Sequence, residues 1–282
     1  MRRITAIIAL LLVIGVGAAP AYAGGVITVD ELADMMDDAN LRIISARQPD
    51  DYDKVHIKNA VNVWHKDLYQ AGDVTGLLKS PEELAGIFGA KGISDTSTIV
   101  IYDDGSNKAA GRLYWILEYL GADDVRILDG HMKMWRKGRK PVTKDVPSFE
   151  PVTFTASPDE DAVATVDELQ GDGVLLVDVR SEDEYNGTTG ESERKGHIPG
   201  AVWYEYTNVV NDDGTVKSEP ELRESLTAAG ITPDKDVILY CETSVRAGVV
   251  YLVLHDMLGY PRVQVYDGAY QEWASDPSRP VE

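Results

Sequence analysis

Residues 99–135, IVIYDDGSNKAAGRLYWILEYLGADDVRILDGHMKMW, lie over residues 237–273, VILYCETSVRAGVVYLVLHDMLGYPRVQVYDGAYQEW, at an offset of 138. Tyr102 falls on Tyr240, Ser106 on Ser244, Gly121 on Gly259, Asp129 on Asp267 and Trp135 on Trp273. Upstream, SARQPDDY (45–52) lies over DVRSEDEY (178–185) at an offset of 133, and KVHIKNAV (54–61) over KGHIPGAV (195–202) at 141. The step between those offsets is an eight-residue insertion in the second copy, within NGTTGESER (186–194). Self-similarity over this length leaves few options: the chain builds one unit twice. Each copy has the size of a compact domain. The join falls in TKDVPSFEPVTFTASPDED (143–161), where Pro147, Pro151 and Pro158 favour extended backbone. The expected organisation is a first domain over 24–145, a linker over 146–161 and a second domain over 162–282.

Within each copy, strand-like and helix-like segments alternate. In the second, TVDELQ reads as the start of a helix with Thr165 as its N-cap. VLLVDV (174–179) is an unbroken apolar run bounded by turn signals, as in a strand buried on both faces. AVWYEY then reads as a strand, SEPELRESLTAAG as a helix closed by Gly230, and DVILY as a strand. SVRAGVVYLVLHDMLGY reads as a mostly apolar helix and RVQVYDG as a last strand. This alternation predicts an α/β fold in each domain, with a mainly parallel sheet flanked by helices.

The formal charge of −20 disfavours nucleic acid and anionic membrane surfaces as partners, and any anionic substrate must be drawn in by a local positive site. The N-terminus, MRRITAIIALLLVIGVGAAPAYAGG, has two arginines, then an apolar stretch too short to span a bilayer comfortably, then Ala21-Tyr22-Ala23. It reads as an export signal over 1–23 cleaved after Ala23, which implies a periplasmic or secreted protein with no membrane attachment after cleavage.

Export sharpens the question posed by Cys241, the only cysteine in the chain. It has no partner for an intrachain disulfide, so it is inert, forms an intermolecular bond or is a reactive thiol. Zinc spacing is absent, because one cysteine and five scattered histidines make no cluster. Cys241 follows the DVILY strand and precedes a helix starting near Val245 to Ala247. Ligands of parallel sheets collect at such strand ends. Turn N–H groups there make an anion nest, and a following helix adds unpaired donors, a setting that favours thiolate over thiol. Arg246 adds a full charge to the same loop, although a solvated helix position is its bland alternative.

Taken together, DVRSEDEY, GHIPGAV, VILYCETSVRA and VYDGAYQEW resemble the hallmark segments of a tandem-domain rhodanese, the thiosulfate and 3-mercaptopyruvate sulfurtransferase family, over nearly all the mature chain. The resemblance implies a catalytic second domain and a non-catalytic first one, whose matching position is Asp103. It further implies that Cys241 takes a sulfane sulfur from a small anionic donor and passes the sulfur to a thiol, a cyanide-like acceptor or a sulfur-accepting protein. No metal or organic cofactor is implied. The expected substrate cradle is Glu242, Thr243, Ser244, Val245, Arg246 and Ala247. Arg180, expected to pair with Asp178, and Arg194, in the insertion with Lys195, are further candidates for binding substrate.

Two acids stand where the family tends to carry bases, Glu242 after the cysteine and Glu184 four residues beyond Arg180, which predicts poor use of thiosulfate. His197 invites a general-base role, but His56 holds the same place in the copy without a cysteine, which argues for structure. A persulfide carrier that does not turn over is the alternative from another class. A phosphatase or arsenate reductase is disfavoured, because those phosphatase loops place five residues between Cys and Arg, and here four intervene.

Overall fold

The computed structural model describes residues 24–171 and 173–282. The expected export segment, residues 1–23, lies outside them. Among the described residues no helix is long and apolar enough to cross a membrane.

The first domain holds β1 (Val26–Ile27), α1 (Val29–Asp34), β2 (Leu41–Ser45), α2 (Pro49–Lys54), β3 (His56–Ile57) and β4 (Ala60–Asn62). It continues with α3 (Pro81–Gly89), β5 (Thr98–Tyr102), α4 (Lys108–Tyr119), β6 (Asp124–Leu128), α5 (His131–Lys137) and β7 (Val142–Thr143). Its sheet has the order β1-β6-β5-β2-β4, and every pairing in it is parallel. The second domain repeats this plan with β8 (Val163–Ala164), β9 (Val174–Asp178), α6 (Glu182–Tyr185), β10 (Val202–Trp203) and α7 (Glu219–Ala228). It ends with β11 (Asp236–Tyr240), α8 (Ala247–Leu252), β12 (Val263–Tyr266) and α9 (Ala269–Ser275). Its parallel sheet runs β10-β9-β11-β12-β8. Described residues of β3 and β7 make the one antiparallel ladder, apart from both sheets.

Strand alternation divides the core. Ile99 and Ile101 of β5, with Val237 and Leu239 of β11, face one cluster shared by both domains. Val100 and Tyr102 face a cluster confined to the first domain, and Ile238 and Tyr240 one confined to the second. Period-two side-chain direction makes this unavoidable once both faces of a sheet are covered. The shared cluster is built around α4 and α8. These helices approach so closely that a Cβ on Gly248 would lie 2.1 Å from the Gly111 carbonyl oxygen. Only glycine permits that separation, and it fixes the two helix N-termini relative to each other.

Counterpart details recur. The Trp135 indole donates to the Pro141 carbonyl (2.9 Å), and that of Trp273 to the Pro280 carbonyl (2.8 Å). The segment over 146–159 carries no helix or strand and packs on the first domain, with the Phe154 ring 6.0 Å from Phe88.

Three expectations need correction. Thr165 does bind Glu168 through both its N–H and its hydroxyl (2.6 Å each), but only a 3-10 turn over Glu168–Gln170 follows. Gly171 leaves helical geometry and ends it. In AVWYEY only Val202–Trp203 is strand; this is a sheet edge, and a 3-10 turn over Tyr206–Val209 follows. The apolar helix is α for Ala247–Leu252 and widens to a π-turn over Val253–Met257.

Candidate active site

Cys241 is the first residue beyond β11 and is buried. Its carbonyl accepts from the Tyr270 N–H (2.9 Å), and the Glu242 carbonyl from the Gln271 N–H (3.2 Å), so the loop is pinned to the start of α9. Ser244 takes a left-handed conformation (φ 58°), unusual for a residue with a Cβ. Its buried hydroxyl donates to the Tyr266 carbonyl, which offsets that strain. The turn brings the chain back over the sulfur, and the Arg246 N–H donates to Cys241 Sγ at 3.3 Å.

The sulfur opens on a cleft of about 540 Å³, whose lining includes Cys241, Glu242, Thr243, Val245 and Arg246. The eight-residue insertion supplies a wall through Thr189, Gly190 and Glu191, and the first domain reaches in through Lys108.

The expected cradle is therefore only partly a lining. Thr243 and Val245 face the cleft, whereas Ser244 and Ala247 are fully buried and serve the loop from behind. Arg246 does face it, but its guanidinium is gripped by the Glu184 carboxylate at 2.6 and 2.8 Å. Glu184 also accepts from the Ser181 hydroxyl (2.7 Å). Burial pushes the Glu184 carboxyl up, but the hydrogen bonds and charge of Arg246, with those of Ser181, more than offset it and hold it at about 2. Glu184 is a clamp on Arg246, not a free negative charge.

Arg180 is not available to a substrate. It is 1% exposed, bonds Asp178 at 2.6 to 3.1 Å, and donates to the Gly196 carbonyl (2.6 Å) and to Glu242 (3.2 Å). Its guanidinium also lies 3.9 Å from the centroid of the Tyr270 ring. Arg180 thus holds Glu242, whose other carboxylate oxygen accepts from the Ser192 N–H (3.1 Å) and hydroxyl (2.5 Å). The repulsion of anions expected from Glu242 and Glu184 is blunted, because both carboxylates are paired. Arg194 also departs from expectation. It donates to the carbonyls of Asp276 (2.7 Å) and Arg279 (2.6 Å), away from the cleft lining.

His197 stacks on Tyr185 (3.8 Å between centroids) with Nδ1 2.9 Å from the Tyr185 carbonyl. His56 does the same with Tyr52, at 3.9 and 2.9 Å. Equal geometry in both copies marks a structural pairing.

Sequence reasoning missed two contributors: Ser192 with the insertion wall, and Lys108. The repeat did place Lys108 opposite Arg246. What it lacked was the contact of α4 with α8, which carries Lys108 to the second domain's cleft.

Fold and site together define a tandem α/β protein with one cysteine-bearing anion loop. The chain belongs to the rhodanese-like domain family, which matches residues 28–138 and 162–276. It is 35% identical over 243 residues, 82% of this chain and 84% of the other, to a Haloferax volcanii protein whose name provisionally assigns it thiosulfate sulfurtransferase activity. It is 34% identical to the Thermus thermophilus sulfur carrier protein TtuD, over 93% of this chain and 97% of that one. Among solved structures, SseA of Escherichia coli, described with the 3-mercaptopyruvate sulfotransferases, superposes with a TM-score of 0.78 at 28% identity. That match covers 88% of this chain and 99% of SseA. The anaerobic ergothioneine biosynthesis enzyme of Chlorobium limicola gives 0.81 at 27%, covering 91% and 69%.

Proposed function

We propose that this chain is an exported sulfurtransferase whose second domain carries sulfur on Cys241. The observation that carries the reading is the sulfur itself, set on the floor of a cleft with a loop N–H aimed at it (3.3 Å). With thiosulfate as donor, the Cys241 thiolate attacks the outer sulfur. A Cys–S–S bond forms, the bond to the SO₃ group breaks, and sulfite leaves with that electron pair. The terminal persulfide sulfur keeps the negative charge that the loop N–H groups favour. An acceptor thiolate or cyanide then takes that sulfur, and the Cys241 thiolate is released. Mercaptopyruvate or a polysulfide is the alternative donor. Polar side chains and backbone suffice for these displacements.

Mass spectrometry of the purified protein after exposure to each donor tests this. A gain of about 32 Da, one sulfur, confined to the peptide holding Cys241 is expected. No gain with any donor overturns the reading. The similarity to TtuD favours a second reading, a sulfur carrier. A carrier takes up one sulfur and stalls with small acceptors, whereas an enzyme turns over many times. Export is tested by the N-terminus of protein recovered outside the producing cytoplasm, expected at Gly24.

A further inference from the structure

Two clefts meet at the domain junction. The one beside Cys241 shares Lys108 and Val245 with a second cleft, about 280 Å³, above the matching loop of the first domain. In the second cleft Arg47 and Lys66 join Lys108. Three acids line it too: Asp103 is held by its own loop, Asp51 pairs with Lys54 (2.8 Å), and Asp104, exposed, is kept ionised by the Ser106 N–H (2.9 Å) and by nearby charge that includes Lys108. Three cations and three acids thus meet in the second cleft, and what the junction adds to the cleft beside Cys241 is the ammonium of Lys108.

At the cysteine itself the cations of the cleft lining are Arg246 and Lys108. Arg246 is neutralised by Glu184 (2.6 Å). Lys108 is exposed, has no carboxylate within ion-pair distance among the described residues, and lies 5.9 Å from the centroid of the Tyr206 ring of the second domain. It opens α4, which the Gly111–Gly248 contact locks against α8, so its stem starts from a fixed point. Glu191, exposed in the inserted segment that lines the same cleft, is a charge that an incoming anion must avoid.

We propose that Lys108, supplied by the non-catalytic domain, binds the oxyanionic group of the sulfur donor, so that the donor lies across the domain junction with its reacting sulfur at Cys241. This rests on the sulfur-transfer reading for the word donor, but the anion site can be tested without it. In the full chain at low salt, Cys241 is alkylated with iodoacetate, which is anionic, and with iodoacetamide, its neutral counterpart; in both the sulfur–carbon bond forms and iodide leaves. The ratio of the two rates cancels any change in thiolate content. Lys108→Gln should lower that ratio about threefold to fivefold, the size of an exposed charge–charge contact, and Lys108→Arg should restore it. In turnover, the KM of the true donor should rise in Lys108→Gln with kcat nearly kept. The donor whose KM moves identifies the oxyanion, sulfonate-like for thiosulfate or carboxylate for mercaptopyruvate. An unchanged alkylation ratio in Lys108→Gln overturns the proposal, and so does a lowered ratio with every donor KM unmoved. A wild-type protein that transfers no sulfur, yet shows the ratio effect, sinks the sulfur-transfer reading and leaves the anion site standing.

Discussion

The loops after β5 and β11 are the same device put to two uses. In the first domain Asp103 Oδ1 accepts from the N–H groups of Gly105 (2.7 Å) and Asn107 (3.3 Å), and Oδ2 from that of Ala110 (3.2 Å). The carboxylate sits in its own anion nest and fills it. In the second domain the matching residue is Cys241, and its sulfur takes the Arg246 N–H (3.3 Å) at the foot of an open cleft. A carboxylate in that place is taken up by its own loop; a thiol leaves a sulfur that faces a cleft. The nest is thus a property of the fold, and one side chain decides whether the protein consumes it or offers it to a ligand. The first domain contributes Lys108, from the end of this loop, to the lining of the second domain's cleft.

The sharpest way to break this comparison is Cys241→Ser. A hydroxyl is close in size but far less nucleophilic, so sulfur transfer should vanish while the fold, followed by circular dichroism and thermal melting, stays. Residual turnover in that variant would falsify the assignment outright, because the chain holds no second thiol.

Glu242→Lys comes next in size, and here the structure changes the expectation. From charge alone, this reversal should ease the approach of a dianion. In the fold it removes one of the two buried carboxylates that pair with Arg180 (3.2 Å), leaving Asp178, and sets an ammonium beside that guanidinium. The expected outcome is a loss of about 3–5 kcal/mol of stability, as when one member of a buried pair is removed, and no gain in thiosulfate use. A denaturant titration measures the first and steady-state kinetics the second. A variant of wild-type stability with a lower thiosulfate KM would show that Glu242 is not held by Arg180 in solution.

Asp103→Cys sharpens the comparison from the other side. Three loop N–H groups lose a carboxylate, which should cost about 1–3 kcal/mol. Exposure does not separate the two thiols, since Asp103 and Cys241 are each 1% exposed, but at the first loop the arginine beside Cys241 is replaced by Lys108. Alkylation of the new thiol near neutral pH should therefore be much slower than that of Cys241. Equal rates, read by peptide mass mapping, would mean that the first loop needs only a thiol to become a second centre.

How much of this could be read beforehand follows from the kind of interaction involved. The two parallel sheets, the repeat and the placing of Cys241 at a strand end rest on local pattern, which a linear sequence records. The pairing of Arg180 with Asp178 is also local and legible. The hold of Arg180 on Glu242 and the roles of Arg194 and Glu242 are not, because they depend on partners distant in the chain: the Asp276 and Arg279 carbonyls for Arg194, and Ser192 for Glu242. Nor could charge counting tell a free carboxylate from Glu184 locked to Arg246. The shortfall of Thr165 as a helix start is local, yet it turns on Gly171 ending the turn after three residues.

The smallest predicted effect concerns a place where the two copies meet as equals. At the offset of 138, Glu118 of α4 matches Asp256 of the π-turn, and near symmetry brings these counterpart acids to the lining of one cleft. Tyr114 donates to Asp256 at 2.6 Å, and His255, whose proton is held more firmly because it bonds Asp256, lies alongside. Glu118 is left with the burden: burial first, and then the charge of Asp256, push it up to about 8 from an ordinary 4.5. A carboxyl raised on folding favours the native state fully below its unfolded value, and that contribution fades as pH climbs from about 4.5 through 8. Glu118→Gln keeps the shape and never ionises. Its melting temperature should match that of the wild type at pH 5 and exceed it at pH 8.5, by roughly 2–4 °C for each kcal/mol that charging Glu118 costs the fold. His255 also loses its proton over this range, so the difference between variant and wild type is the quantity to read, not either curve alone. If the two proteins keep the same gap from pH 5 to 8.5, Glu118 ionises normally and the counterpart acids do not press on each other across that cleft.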